Sequence, residues 1–307
     1  MRPDFVIIGA PKSATTFVHF RLIEHPDVYM DPDEVPWFCD PDYREADFPE
    51  FLARFEAGHG RAAVGFKRPD YLARREVSPR LARHLPDARI IAVLRDPVDR
   101  AVSHYHHLIG YGFAPVRDVN RGLDQVLVGD LARAWPRTEE ILEAGFYGAQ
   151  IERYLGHFPR ERMLILLHEQ VHREPAETMR RVFRFLEIDE AFEPEHLDQR
   201  PQAVVYDLKR LRWRRLRNTI LYRHSPDRMR LFPRDRIGPL SRSTLRGIDW
   251  VDRRLLARWD RARRPELNDT LVARLADYYR ADTERLEALL GADLHHWRVF
   301  GTEKKAA

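Results

Sequence analysis

The sequence contains one cysteine, Cys39, among its 307 residues. A lone cysteine excludes a disulfide within the chain, so we expect a protein of a reducing compartment, the cytoplasm. No run approaches the about 18 consecutive apolar residues of a membrane-spanning helix, so we expect no transmembrane segment. Because an apolar segment typical of a strand begins at residue 5, we also expect no signal peptide.

Lysine is scarce as well, since arginine supplies 47 of the 52 basic residues and lysine stands only at positions 12, 67, 209, 304 and 305. A compact ammonium differs in its chemistry from a planar guanidinium, so a lysine kept in such a chain is a candidate functional residue. The net charge of +4 suits an anionic ligand. The sequence contains no known nucleic-acid-binding motif, so we expect no nucleic-acid partner.

Metal-ligand spacing is also missing from the sequence. His104, His106 and His107 are close together, but two of them share a predicted helix face with aromatic residues. We therefore expect no metal site. The sequence makes no prediction of the oligomeric state.

Apolar runs that predict strands alternate along the chain with segments of helical periodicity. The runs at 89–94 and 162–167 are continuous, which is typical of strands buried on both faces. We predict an α/β fold, a P-loop-NTPase-like parallel sheet flanked by helices, in one domain over residues 1–307. The predicted strands are 5–9, 62–66, 89–94 and 162–167, and the predicted helices are 14–24, 48–57, 76–85, 97–109, 121–131, 138–157, 174–187 and 269–290.

Residues 192–245 differ from the rest, being rich in arginine and proline with a weak helical period. We predict a helical or irregular capping region, or a mobile insertion within the domain. Within it, residues 209–217 interleave basic residues with tryptophan and leucine. That pattern fits a solvated helix with its apolar residues packed inward, a segment that binds an anionic membrane or a partner, or a lid that attracts an acidic or lipid-linked acceptor.

The most informative segment is 5–16, F-V-I-I-G-A-P-K-S-A-T-T. A buried strand is predicted to end in a tight turn at Gly9 and Pro11, and a helix follows. Lys12 and three hydroxyl residues lie between the two elements. Free N–H groups and positive charge at a helix N-terminus bind phosphate-like anions. The loop differs from a Walker A loop, because only two residues separate Gly9 from Lys12 and no glycine precedes the lysine.

A second candidate anion site follows the predicted strand 89–94, in R-D-P-V-D-R-A-V-S-H-Y at 95–105. Arg95 stands at the carboxyl end of that strand, where ligands bind in open α/β sheets. Pro97 suits the first turn of a helix that carries Ser103 two turns further on. Arg95 and Ser103 are candidate phosphate ligands. The alternative is a structural Arg–Asp pair at the turn and a serine that faces solvent.

Together these motifs resemble those of sulfotransferases that use 3′-phosphoadenosine 5′-phosphosulfate (PAPS), in the bacterial and heparan sulfate branch of the family. G-A-P-K-S-A-T-T at 9–16 resembles the 5′-phosphosulfate loop, and the 95–105 segment resembles the 3′-phosphate site. G-F-K-R-P-D-Y-L at 65–72 is similar to a further segment of that branch. The resemblance covers about residues 1–190 and 260–298.

The resemblance implies in-line transfer of a sulfuryl group from PAPS to a hydroxyl or amine of a small-molecule, glycan or lipid-linked acceptor, without a metal. Adenosine 3′,5′-bisphosphate would be the other product. Lys12 would contact the phosphosulfate bridge and stabilise the leaving phosphate. The remaining implied contacts are Ser13, Ala14, Thr15 and Thr16 to the 5′-phosphate, Arg95 and Ser103 to the 3′-phosphate, and Arg263 and Arg264 closing over the nucleotide.

The same resemblance makes Glu34 the predicted general base and Lys67 a predicted contact to the substrate or sulfuryl group. Other members of the family commonly carry a Lys-Glu pair here, whereas this chain has Asp33 before Glu34. The departure keeps His19 and the histidines near position 104 as alternative bases. The simpler interpretation is a solvated carboxylate at Glu34 and a surface lysine at Lys67.

Two other classes of function remain open at this point. A P-loop-type kinase or other nucleotide-dependent phosphotransferase would use the same strand, loop and helix, although the Walker glycine is missing. A non-enzymatic protein that binds an anionic membrane or a partner would use the basic segment 209–217.

Overall fold

The computed structural model describes residues 1–199, 204–234, 238–256 and 264–301. A sheet of five parallel strands has the order β2-β3-β1-β4-β5 and is flanked by helices, which confirms the predicted fold class. The strands are β1 Phe5–Gly9, β2 Val28–Glu34, β3 Ala63–Lys67, β4 Arg89–Leu94 and β5 Met163–Leu167.

The helices are α1 Thr15–Glu24, α2 Phe48–Ala53, α3 Val77–His84, α4 Pro97–Tyr111, α5 Val119–Leu127, α6 Glu140–Glu143, α7 Tyr147–Leu155, α8 His168–Arg173, α9 Pro175–Leu186, α10 Leu208–Leu221, α11 Pro239–Val251 and α12 Asp269–Leu290. A short antiparallel hairpin joins β6 Tyr222–His224 to β7 Leu231–Pro233. Among the described residues, no helix is both long enough and apolar enough to span a membrane.

The four predicted strands are confirmed, but strand β2 was missed. Its sequence V-Y-M-D-P-D-E is largely polar in its second half and contains a proline, so it lacks the apolar run that marks the other strands. Proline is tolerated at a sheet edge, and β2 is an edge strand that pairs only with β3. The residues that carry the candidate base therefore belong to the sheet and not to a loop.

The prediction of a single helix over residues 138–157 is wrong. The chain forms α6, breaks, and resumes as α7. The Tyr279 hydroxyl donates to the Leu142 carbonyl over 3.0 Å, and the Tyr279 ring lies 2.7–3.0 Å from where a Cβ at Gly145 would stand. Because the tyrosine fills this space and uses that carbonyl, the helix does not continue through Gly145.

The chain divides into two compact units, each made of three chain segments. The first consists of Met1–Asp96, Phe146–Gln202 and Ala281–Leu294. It holds the sheet and a core in which apolar residues of α1 and α9 pack with those of β1 and β4. A second buried cluster, rich in aromatic rings, lies around β3. Its members contact one another and are Phe38, Phe51, Phe55, Phe66 and Tyr71.

The second unit consists of Pro97–Gly145, Ala203–Arg280 and His295–Ala307. It contains most of the arginine-rich region 192–245, whose described part includes α10, the β6–β7 hairpin and the start of α11. The basic segment 209–217 lies within α10, where Leu211 is buried and the Trp213 indole N–H donates to the Ile248 carbonyl over 3.0 Å. Leu211 and Trp213 thus pack inward, whereas Leu216 of the same segment is 48% exposed. Residues 200–203 and 235–237 of this region lie outside the described residues.

Candidate active site

The segment that follows β1 forms a compact turn before α1. Lys12 and Ala14 adopt left-handed backbone conformations, with φ of 66° and 73°. Ala14 stands at the N-cap position, where no side chain accepts the first N–H groups of the helix. The Ser13 hydroxyl is buried and has no hydrogen-bond partner among the described residues. The turn therefore presents backbone donors, a hydroxyl and Lys12 in one place, as a phosphate-like anion requires.

Gly9 ends β1 against the turn that follows β3. A Cβ at Gly9 would stand 2.6 Å from the Pro69 carbonyl oxygen and 2.8 Å from Leu72 Cβ, so no larger residue fits without movement. This close approach brings the segment after β3 beside the Lys12 turn. The carboxyl ends of β1 and β3 thus meet at one edge of the sheet.

Lys67, Thr16 and Glu34 form a single polar network at that edge. The parallel register places Glu34, the last residue of β2, opposite Lys67, the last residue of β3. Lys67 Nζ donates to Thr16 Oγ1 over 3.1 Å and lies 3.3 Å from Glu34 Oε1. The Lys67 side chain is 5% exposed and that of Glu34 is 40% exposed. Lys67 is therefore not a surface lysine, and Glu34 is an ion-paired carboxylate that solvent and a ligand can reach.

Arg68 joins this network, although no role was predicted for it from the sequence. Its guanidinium lies 3.2 Å from Glu34 Oε2 and 2.8 Å from Asp70 Oδ2. Two cations from consecutive residues thus hold the two oxygens of Glu34. The signal in the sequence was its position directly after Lys67, at the end of a predicted strand.

The Lys12 ammonium lies in a cationic environment. Burial and the charges of Arg95 and Lys67 together lower the pKa of Lys12 to about 8, with Glu34 opposing the shift. Arg95 also donates to the Lys12 carbonyl over 3.2 Å, so this predicted phosphate ligand supports the loop backbone. An excess of positive charge at the ends of three adjacent strands favours a ligand with several negative charges.

His19 lies on α1, one turn after Thr16. Burial and the charge of Lys67 together lower the pKa of His19 to about 4, with Asp31 opposing the shift. The imidazole is therefore neutral at pH 7, and its buried Nδ1 has no hydrogen-bond partner among the described residues. His19 is only 2% exposed, whereas the Glu34 side chain is 40% exposed, so an acceptor hydroxyl reaches Glu34 more readily, which favours Glu34 over His19.

The other predicted residues belong to the second unit. Ser103 lies on α4, and its hydroxyl is buried without a hydrogen-bond partner in the described part of the chain. Asp99, one turn earlier on the same helix face, accepts hydrogen bonds from the two terminal guanidinium nitrogens of Arg264. A guanidinium nitrogen of Arg298 lies 3.6 Å from Asp99 Oδ1. Arg264 is thus fixed on the turn of α4 that precedes Ser103, while Arg263 lies outside the described residues.

The histidines near position 104 take part in contacts within this unit. His104 Nδ1 is 3.0 Å from an Arg100 nitrogen, and His106 Nδ1 is 2.7 Å from the Val102 carbonyl. Burial lowers the pKa of His106, and its bond to Val102 opposes that shift. These contacts within one helix give them a structural role.

A family model described as "Sulfotransferase domain" matches residues 2–211, about two thirds of the chain. The chain belongs to the sulfotransferase family. The match includes both candidate anion-binding segments, Glu34 and Lys67, and it ends within α10. The sulfotransferase motifs identified in the sequence therefore all lie inside it, except for Arg263 and Arg264.

Sequence relatives of this sulfotransferase domain include two heparan sulfate enzymes. Bifunctional heparan sulfate N-deacetylase/N-sulfotransferase 2 of Bos taurus is 31% identical over 198 residues, covering 61% of this chain and 22% of the relative. Heparan sulfate glucosamine 3-O-sulfotransferase 3B1 of Mus musculus is 29% identical over 201 residues, covering 63% and 48%. The alignments thus span less than half of each relative.

Among solved structures, the sulfotransferase from Alicyclobacillus acidocaldarius is similar over nearly the whole chain. The TM-score is 0.66 at 24% sequence identity, and the alignment covers 97% of this chain and 99% of that one. At this identity the likeness establishes a shared fold.

Proposed function

We propose that this protein transfers a sulfuryl group from PAPS to a hydroxyl or amine of an acceptor. The observation that carries the proposal is the position of Lys67 Nζ, which contacts Thr16 on the anion-binding helix and Glu34 on the neighbouring strand. One side chain thereby joins the anion site to the candidate base. The names of the relatives, which are heparan sulfate sulfotransferases, support a glycan among the acceptor classes.

The residues of the first anion site fit a phosphosulfate group. The Ser13 hydroxyl lacks a partner among the described residues, the first N–H groups of α1 have no side-chain cap, and Lys12 supplies a cation. When bound, PAPS supplies a sulfuryl group activated by its bond to phosphate. Arg95, Ser103 and Arg264 as ligands of the nucleotide stay predictions.

In this mechanism Glu34 takes the proton of the acceptor hydroxyl while the acceptor oxygen forms its bond to sulfur. The bond between sulfur and the phosphate oxygen breaks, and Lys12 stabilises the charge that develops on that oxygen. Lys67 holds Glu34 in place and adds positive charge at the same edge. Such a transfer depends mainly on positioning and on charge stabilisation, as phosphoryl transfer does.

Lys12→Met tests the role of the ammonium in the transition state. We expect kcat for sulfuryl transfer to fall by about 10²–10³-fold, because one preorganised charge contact is lost where charge develops. The affinity for adenosine 3′,5′-bisphosphate should fall by less than about tenfold, since the backbone donors remain. The measurements are steady-state kinetics with PAPS and calorimetric binding of the bisphosphate.

Lys209→Met is the matched control, because Lys209 is an exposed lysine on α10 and should leave both quantities unchanged. Equal losses of kcat and of bisphosphate affinity in the Lys12 variant would contradict a transition-state role. A thermal shift with ATP and Mg²⁺ but none with the bisphosphate would instead favour the kinase.

Substitution of the two candidate bases distinguishes between them. Glu34→Gln keeps the shape of the side chain and removes the proton acceptor, so we expect kcat to fall by about 10²-fold or more. His19→Gln should lower kcat by less than about fivefold, because the buried imidazole lies out of reach of an acceptor hydroxyl. Bisphosphate binding, measured alongside, should be kept in both variants. A larger loss of kcat in the histidine variant would reverse the assignment.

A further inference from the structure

One face of α10 in the second unit packs against the end of α4. Leu211 is buried there, with Cδ2 3.6 Å from where a Cβ at Gly110 would stand, and Asn218 donates to the Gly110 carbonyl over 2.8 Å. Arg215 lies between these positions on the same helical face. Its Nε is 3.8 Å from where a Cβ at Gly112 would stand. Arg215 is therefore a half-buried arginine at a packed surface.

Two other arginines of α10 pair with carboxylates, and Arg215 does not. Arg210 lies 2.7 Å from Asp252, and Arg217 lies 2.7 Å from Asp249. Arg215 has no carboxylate partner among the described residues. Burial lowers the pKa of Arg215, and the neighbouring cation Arg228 lowers it further, with no anion opposing. Leaving a half-buried charge uncompensated in this way is costly.

Arg215 and Arg228 converge on one aromatic ring, that of Trp135. The Arg215 guanidinium carbon lies 5.3 Å from the ring centroid, and that of Arg228 lies 4.5 Å away. Arg228 belongs to the β6–β7 turn and has a left-handed φ of 58°. The turn is held by bonds from Met229 N to Asp227 Oδ1, 3.0 Å, and from Arg228 N to the Ser225 carbonyl, 2.9 Å. The backbone of the turn thus fixes Arg228 beside the indole.

An arginine that stacks on an aromatic ring can also pair with a carboxylate. Arg137 lies 4.6 Å from the centroid of Phe113 in the same unit and pairs with Glu140 over 2.9 Å. Arg228, like Arg215, has no carboxylate partner in the part of the chain that the structure describes. Two like charges are therefore brought together on one ring, where an anion would offset their repulsion.

We propose that Arg215, Arg228 and Trp135 form a binding site for an oxyanion group, a sulfate, phosphate or carboxylate. A guanidinium offers two parallel N–H donors to such a group, and two guanidiniums bind it with charge-assisted hydrogen bonds. The site lies wholly within the second unit and does not depend on the proposed transfer reaction. The anion is either a free ion or one group of a polyanionic molecule.

The test is ¹⁹F NMR of the full chain labelled with 5-fluorotryptophan. The chain has six tryptophans, and Trp135→Phe assigns the relevant signal. Sodium sulfate and, separately, sucrose octasulfate are titrated at constant ionic strength. We expect the Trp135 signal to shift saturably, and Arg215→Gln/Arg228→Gln to weaken the affinity by about ten- to a hundredfold. Tighter binding of the octasulfate would identify a polyanionic ligand, and equal or tighter binding of sulfate a free ion.

Arg223→Gln is the matched control, because Arg223 is an exposed arginine of the same hairpin that lies 5.8 Å from the Phe232 ring. It should leave the titration of Trp135 unchanged. The double variant also loses two guanidinium–indole contacts, so its Trp135 signal differs before titration and only the change on titration is compared. Absence of a shift, or binding of equal affinity in the double variant, would overturn the proposal. Arg228→Gln alone provides the same comparison with a smaller change.

Discussion

Lys12 carries its positive charge at a cost to the folded protein. Its pKa is about 8 in the fold, through burial first and Arg95 second, and 10.5 is the usual value. Between these two values the unfolded chain binds more protons than the folded one, so the stability should rise with pH from about 8 to 10.5. A bound polyanion reverses the balance, because its charge raises the pKa of Lys12 again.

Binding of adenosine 3′,5′-bisphosphate should therefore take up a proton at mildly alkaline pH. At about pH 8.5 roughly three quarters of the Lys12 side chains of the free protein are neutral, and we expect an uptake of about half to three quarters of a proton on binding. Calorimetry in buffers of different ionisation enthalpy measures this number directly. The affinity for the bisphosphate should decline as the pH rises above 8, because binding takes up a proton and the proton concentration falls.

Lys12→Met supplies the comparison for this measurement, because the side chain keeps its length and loses the titrating amine. Its binding should show no proton uptake in the same pH range. An unchanged uptake in the variant would assign the proton to another group and would remove Lys12 from direct contact with the anion.

The residues of the candidate site differ in how far the sequence could identify them. Lys12, Glu34 and Lys67 were identified because they stand in short segments with a recognisable order of residues. The bond from Arg95 to the Lys12 carbonyl was not, because it depends on the left-handed backbone at Lys12. Conformations of single non-glycine residues are set by the packing around them, which no local pattern contains.

At the scale of the element, β3 fits against β1 through a glycine. Gly65 pairs in register with Phe5, and a Cβ at Gly65 would stand 2.4–2.6 Å from atoms of the Phe5 ring. Phe5 is fully buried, so its ring cannot move away from an added Cβ without displacing its neighbours. The spacing of these strands, and hence of Lys12 and Lys67 beyond them, depends on this contact.

Gly65→Ala should lower the free energy of unfolding by about 1–3 kcal/mol through overpacking. Phe5→Leu in the same chain removes the ring atoms that clash, so the double variant should lose at least about 1 kcal/mol less than the sum of the single losses. Urea denaturation measures all four proteins.

Gly247→Ala is the contrasting control for the glycine substitution. Gly247 is exposed on α11 with no atom near its missing Cβ, so alanine should stabilise the helix by up to about 1 kcal/mol. Additive losses in the Phe5 and Gly65 variants would show that the two residues are energetically independent, contrary to the geometry.

The errors at this scale have a common physical cause. Strand β2 lacks an apolar run because it is an edge strand, and the break between α6 and α7 arises from Tyr279, which is distant in sequence. The hydrophobic pattern of a segment indicates how much of that segment is buried. It contains no information about a side chain from a distant part of the sequence that packs against the segment. The strands buried on both faces were predicted well for the same reason.

At the scale of the whole molecule, the family match and the two compact units divide the chain differently. The first unit needs residues beyond the matched region 2–211. Asp282 on α12 accepts hydrogen bonds from Gly148 N and Ala149 N, 2.8 and 2.9 Å, at the start of α7. Leu286 and Leu294 from the same segment are buried. A fragment that ended with the matched region would therefore lack a helix cap and part of the first unit's core.

The lowered pKa of Lys12 also makes this side chain chemically reactive. An amine that is half neutral near pH 8 attacks acylating reagents at a pH where an ordinary lysine is almost fully protonated. The chain offers few competing side chains, because only four other lysines exist. An activated ester joined to a bisphosphate would therefore become a covalent affinity label for the loop after β1, and peptide mass mapping would locate the adduct.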